Sequence, residues 1–270
     1  TIYAGDENDT VYGGDGNDSI TGDRGNDWVF AGNGNDTVHG WTGSDTLSGG
    51  DGNDLVGGDQ DNDLINGDAG CDTVKGGDGA DTVNGGDGND YVYGGDYDVN
   101  SPDGNDLLNG NDGCDTMYGG NGEDSIYGGA HNDCIYGDSG NDLIYGGTGD
   151  DLIRGGTGTD LIYGDAGCDY IYGGEDNDTV YGGGHTDVIF GDAGNDLIYG
   201  GDDNDFAYGG IGNDNIFGED GIDVLEGGDG ADCLYGGTGG DFLFGDAGND
   251  ILEGGAGIDV LRGGLGNDTL

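Results

Sequence analysis

Positive charge is almost absent from this 270-residue sequence: Arg24, Lys75, Arg154 and Arg262 face 58 acidic residues, for a formal charge of −54. A chain this acidic repels nucleic acid and anionic membrane surfaces, and its compact state repels itself unless cations are present. Proline occurs once, at Pro102. No apolar run approaches the roughly 20 residues needed to span a bilayer, and the start lacks the basic-then-apolar pattern of a secretory leader. The chain opens on Thr1-Ile2-Tyr3 and closes on Leu270 in mid-phrase, as expected of a segment of a longer polypeptide or a processed product. Five cysteines, Cys71, Cys114, Cys134, Cys168 and Cys233, fall at long intervals that match no zinc or redox spacing, and are expected to be surface or turn substitutions. His39, His131 and His185 lie far apart, with no paired Cys or Ser to make a nucleophile, so no enzymatic activity is expected.

What the sequence does have is a period. Glycine supplies 72 residues, a content that signals disorder when nothing repeats. Here aspartate returns at every ninth residue, at Asp9, Asp18, Asp27, Asp36, Asp45, Asp54, Asp63, Asp72, Asp81 and Asp90. After one interruption it continues at Asp106, Asp115, Asp124, Asp133, Asp142, Asp151, Asp160, Asp169, Asp178 and Asp187, and then at Asp196, Asp205, Asp214, Asp223, Asp232, Asp241, Asp250, Asp259 and Asp268. Taking this Asp as the sixth of nine gives 29 units. Position eight is Val, Ile, Leu or Met in 28 of them, with Ala207 the exception. Glycine opens 27 units and holds position four in 23, departing there at Glu7, Asp61, His131, Asp176, His185 and Asp203. The consensus is G-G-x-G-x-D-x-U-x, with U a large aliphatic.

That phrase resembles the nonapeptide of the RTX (repeats-in-toxin) calcium-binding family, and the resemblance covers nearly the whole chain. It implies an all-β, right-handed parallel β-roll solenoid in which G-G-x-G-x-D makes a turn, x-U-x makes a short strand, and two nonapeptides complete one coil. It also implies calcium between stacked turns, held by the position-six aspartates and by turn carbonyls. The residues themselves lead to the same chemistry. Glycine lets several carbonyls point inward together. Calcium takes six to eight hard oxygens, and two stacked turns can supply them. Only two aliphatics per coil face inward, too few to offset the entropy of ordering the coil, so the metal-free chain is expected to be unfolded. If units two apart share an ion, up to about 27 calcium ions bind and cancel the formal charge.

Residues 1–270 therefore read as a single solenoid of 29 units with a seven-residue loop inserted at 97–103. With Asp96, that loop carries Asp98, Asn100 and Asp103, a faint likeness to a calcium loop, although a surface excursion is the plainer reading. A second period groups units in threes: Asp138, Asp165, Asp192, Glu219 and Asp246 replace the second glycine in every third unit. It raises a three-sided coil, three units around, as the alternative to two units per coil. Position nine is Tyr or Phe in 13 of the 15 units from Tyr118 to Phe244, which stacked strands would align into ladders. The expected role is an extracellular, calcium-folded structural rod: spacer, adhesin stalk, surface-layer or fibre component, able to associate with its own kind. The alternatives are a secretion and folding module of an RTX toxin, protease or epimerase, and a rod that binds glycan or ice. Family members whose turn reads GTGND bind ice through ranked Thr and Asn. Here Asn precedes the Asp in 16 units, but Thr holds position three only at Thr42, Thr148, Thr157 and Thr238, so the rank is broken.

Overall fold

The computed structural model describes residues 1–95 and 104–270, and every regular element among them is a β-strand. The inserted Tyr97–Asp103 loop and its calcium-loop reading lie outside the described residues. The chain divides into two compact units, Thr1–Ser139 and Gly140–Leu270.

In the first unit, β1 (Ile2–Asp6), β2 (Thr10–Asp15) and β3 (Ser19–Arg24) begin a series that ends with β14 (Ser125–Ala130) and β15 (Cys134–Ser139). Each strand pairs in parallel with the strand two places on, so odd and even strands form separate sheets. Ile2 pairs with Ile20 and Val38 with Val56, each residue lying beside its counterpart two nonapeptides on. The second unit repeats the arrangement from β16 (Leu143–Thr148) and β17 (Leu152–Thr157) to β28 (Ile251–Gly257) and β29 (Val260–Arg262). There Ile198 pairs with Ile216. The coil thus has two sides, and the three-sided alternative is overturned: three nonapeptides amount to one and a half coils. Across the insertion, Val83 pairs with Leu108 and Val92 with Met117, so the register closes over the added residues unchanged.

The strands are longer than the expected x-U-x. Most have six residues, running from position seven of one nonapeptide through position three of the next, which leaves three residues for the turn. Thr37–Thr42 shows why: Val38 and Gly40 are buried while Thr37, His39 and Trp41 face outward, so period two continues into the glycines. Position two bends the strand without ending it. Gly5 has φ 111° and its ladder partner Asp23 has φ 78°. Sixteen non-glycine residues among those described adopt positive φ, and all stand at position two or four. Every position-four departure from glycine noted in the sequence is among them. Eleven of the sixteen are Asp or Asn, whose short polar side chains tolerate the left-handed region best.

Position eight builds the core, with Val29, Leu47, Ile65 and Met117 in the first unit and Ile144, Ile171, Ile198 and Leu225 in the second fully buried. Ala207 is the weak point. Its neighbour Tyr208 tilts out of the aromatic stack to meet Phe190 edge-on at 6.3 Å and 62°, beside a groove of about 410 Å³ that Ala207 helps to line. Ala207→Ile restores the residue of the flanking columns and is expected to stabilise the calcium-loaded protein by about 1 to 2 kcal/mol. A thermal unfolding midpoint at or below that of the unaltered protein would show that the site is already filled.

Candidate metal sites

The three-residue turns stack in register, and almost every backbone donor in them finds a partner one coil away. The Asp187 N–H donates to Oδ1 of Asp205 (2.8 Å), and the Asp205 N–H donates to Oδ1 of Asp223 (2.9 Å). The Val224 N–H donates to the Asp205 carbonyl at 2.9 Å, and the Gly221 N–H to that of Thr238 at 2.9 Å. Asparagines at position five add a column in the opposite sense: the Asn213 N–H donates to Oδ1 of Asn195, whose own N–H donates to Oδ1 of Asn177 (2.9 and 2.7 Å). The first unit repeats this, with the Asp45 N–H on Oδ1 of Asp63 at 2.8 Å and the Asn35 N–H on Oδ1 of Asn17 at 3.1 Å.

Oxygens are left over. The position-six aspartates from Asp27 to Asp250 are buried. Asp9, Asp18, Asp259 and Asp268 are half-buried. They form two columns in each unit, one per edge, because residues two nonapeptides apart stack. While Oδ1 receives an N–H, the buried Oδ2 of Asp27, Asp63, Asp169, Asp205 and Asp223 accepts no hydrogen bond. A buried acceptor without a donor costs about 1 to 3 kcal/mol, and more when charged. Each such oxygen lies against the bare Cα of a position-one glycine: a Cβ at Gly200 would stand 2.6 Å from Oδ2 of Asp205 and 2.8 Å from the Gly218 carbonyl oxygen. Carboxylate and carbonyl oxygens thus meet over a space that any side chain would fill.

This environment pushes the carboxyls upward. Burial, opposed by the backbone N–H from one coil earlier and reinforced by neighbouring carboxylates, takes Asp63, Asp169, Asp178 and Asp205 from 3.8 to about 8. Asp72 and Asp196 rise to about 7 for the same reasons. Groups so placed need either a proton or a cation. Hard oxygen donors of this kind suit calcium rather than a softer metal. Among the described residues no three His, Cys, Asp or Glu side chains converge, so side chains of these four types do not by themselves complete a shell around a carboxylate pair.

The sequence located the aspartates but not their double duty, one oxygen closing the backbone network and the other facing the cradle. Vertical contacts of this kind leave no signal within a single nonapeptide. The asparagine column was visible only as a frequency. The histidines stay apart: His39 Nδ1 lies 3.2 Å from Oδ2 of Asp59, which raises its pKa, whereas His131 and His185 donate from Nδ1 to the carbonyls of Ala130 and Gly184 at 2.8 Å. None of the cysteines is joined in a disulfide; Cys71, Cys114 and Cys168 sit exposed in turns, as expected.

No curated protein matches the chain. Among solved structures it is similar to a hyperactive, Ca2+-dependent, beta-helical antifreeze protein from an Antarctic bacterium, at 21% identity and a TM-score of 0.39 over 96% of this chain and 82% of that one. The family model of the RTX calcium-binding nonapeptide repeat (4 copies) matches residues 1–29, 21–56, 30–65, 39–74, 66–96, 103–125, 109–144, 145–180, 181–216, 208–243 and 244–270. With repeats of that family over all but residues 97–102, and with stacked turns offering paired carboxylates to a hard cation, the chain belongs to the RTX calcium-binding nonapeptide repeat family.

Proposed function

We propose that this chain is a structural module that calcium folds into a rigid solenoid outside the cell, serving as spacer, stalk, surface-layer or fibre component. One observation carries the reading: column upon column of buried aspartates whose Oδ2 lies over a glycine cradle instead of a donor. The position-six aspartates from Asp9 to Asp268 are the residues that would hold calcium. Bound calcium supplies positive charge that neutralises stacked carboxylates and ties neighbouring coils together. The residues of the chain do the rest: position-one glycines keep the cradle open, Oδ1 orients each carboxylate, and position eight fills the core. Micromolar or lower calcium leaves such a chain expanded, whereas millimolar calcium outside the cell folds it.

The test is a calcium titration of metal-free protein followed by far-ultraviolet circular dichroism. Strand signal is expected to rise with calcium and vanish on chelation; an equally strong signal in excess chelator at neutral pH would remove the proposal.

The glycan-binding alternative relies on the aromatic ladder, and the ladder's geometry weakens it. From Tyr145 through Tyr163, Tyr181, Tyr199 and Phe217 to Tyr235 the rings stack at 4.7 to 5.0 Å and within 13° of parallel. Sugars pack on ring faces, and these faces are already covered by neighbouring rings. Tyr93, Tyr118 and Tyr136 stack likewise in the first unit, with Lys75 placed 5.2 Å over the Tyr93 ring.

A further inference from the structure

One face of the second unit departs from the opposite face in both charge and shape. It consists of the odd strands β17, β19 (Tyr170–Glu175), β21 (Val188–Ala193), β23 (Phe206–Ile211), β25 (Val224–Asp229), β27 (Phe242–Ala247) and β29. Its outward columns, positions seven, nine and two, carry two bases, Arg154 and Arg262, against three acids, Asp192, Glu226 and Asp246. The same columns of the even face carry Asp165, Glu219 and Glu253 with no base. With the exposed strand-end acids Glu175 and Asp229 included, the odd strands carry five acids against two bases and the even strands five acids and no base, so in a chain with 4 bases against 58 acids the odd face repels another copy less than the even face does.

The odd face is also apolar and corrugated. Along position seven, Tyr170, Phe206 and Phe242 alternate with Val188, Val224 and Val260 on successive strands. The aromatics stand proud, 53%, 51% and 40% exposed, with troughs at half-buried Val188 and Val224 between them, while Val260 on the last strand is itself 48% exposed. Position nine adds Tyr172, Phe190, Tyr208 and Phe244. The even face lacks this order, since its position-seven column is broken by Thr179, Asn215 and Cys233. Depletion of charge with enrichment of aromatics and arginine marks the core of protein interfaces, and large apolar patches are rare on monomers.

We infer that this face is a self-association surface and that its occupant is the same face of a second copy of the chain. The shape selects the occupant. A two-fold axis parallel to the strands, lying in the contact plane between β21 and β23, keeps position seven facing position seven and reverses strand order. Phe206 then meets Val188 of the second copy, Tyr170 meets its Val224 and Phe242 its Leu152, so that each knob enters a trough. The groove beside Ala207, bordered by Phe206, Tyr208 and Glu226, lies next to this axis. The six strands from β17 to β27, about 4.8 Å apart and about six residues across, give a plane of roughly 600 Å² per copy, so a pair buries on the order of 1,200 Å², the lower bound for specific complexes. This inference rests on the calcium-folded solenoid proposed above, because the face exists only in the coiled state.

The test is light scattering of the full chain in calcium at a concentration on the order of 100 µM, with circular dichroism on the same samples. The unaltered protein is expected to be dimeric. Phe206→Glu with Phe242→Glu is expected to weaken the dimer by at least about tenfold, as is the gentler pair Phe206→Thr with Phe242→Thr, which keeps strand propensity. Leu161→Glu with Leu197→Glu, at the same position on the even face, is expected to leave it intact. A monomer with full strand signal would overturn the inference, as would equal loss from the even-face pair. An assembly that survives the loss of strand signal in chelator would overturn it as well. Calcium-independent strand signal would instead contradict the functional proposal, and light scattering would still report on the face.

Discussion

In excess chelator the chain is expected to be unfolded near pH 8 and to regain its strand signal on acidification to about pH 3. The reason lies in the buried position-six carboxyls. Asp63, Asp169, Asp178 and Asp205 rise to about 8 in the coil, against 3.8 without it, chiefly through burial. Asp45, Asp115, Asp160 and Asp187 rise to about 6. A group that holds its proton more tightly when folded contributes stability that is complete below its unfolded pKa and is lost as pH rises through its folded pKa. This stabilisation of the metal-free coil is therefore complete below about 4, declines as pH rises and is gone once pH has passed the folded values of about 6 to 8. A proton stands in for calcium by removing the charge. In calcium the dependence reverses, because the ion binds the deprotonated form.

Circular dichroism against pH, with and without calcium, reads both curves. Acid also relieves repulsion among exposed carboxylates, but salt separates the two effects, since about 1 M salt screens surface charges strongly and buried ones little. Refolding of the chelated chain by salt alone at pH 8 would place the cause at the surface and not in the aspartate columns.

The second large effect contrasts a consensus glycine at position one, Gly200, with a glycine at the variable position three, Gly184. Gly200→Ala is expected to cost about 1 to 3 kcal/mol in the calcium-loaded state, because the new methyl meets a fixed carbonyl as well as a carboxylate. The distances are 2.8 Å to the oxygen of Gly218 and 2.6 Å to Oδ2 of Asp205. Backbone conformation plays no part, since Gly200 is not left-handed. Gly184→Ala is expected to stabilise by about 0.4 to 1 kcal/mol by restricting the unfolded chain. The nearest atom to its methyl, the Asp165 carbonyl oxygen, lies 3.9 Å away, and its φ falls outside the left-handed region. Urea unfolding in calcium compares the two. Equal tolerance of both alanines would mean that the cradle over position one is looser than the structure shows.

Much of the fold could be read from single residues because one nonapeptide contains its own instructions. Position eight is aliphatic and faces inward; positions two and four are glycine or bear a left-handed residue such as Asp203 or His185. What one nonapeptide does not contain is its relation to the next coil. Whether Ile198 pairs with a residue two or three nonapeptides on depends on how many strands fit around a core filled by two aliphatics, and the superperiod of three pointed both ways. The nonapeptide understates strand length because G-G reads as turn, whereas Gly40 is buried in a strand that continues to Thr42. At the aspartates, residue type raises the expectation of a cation ligand. The partition of each carboxylate between a backbone N–H and the cradle appears only when Asp187 is stacked beneath Asp205.

Two nonapeptides per coil also impose a rule of parity on how such a chain can change. Removing or adding one nonapeptide turns every downstream strand from one sheet to the other, while a pair leaves each side as it was. A tandem copy of a block of three must therefore land on the opposite side from its parent. Within the second unit the left-handed acids at 165, 192, 219 and 246 alternate sides for this reason. Aromatics copied in the same blocks reach both surfaces whether or not both surfaces use them, so selection can keep one side and let the other drift.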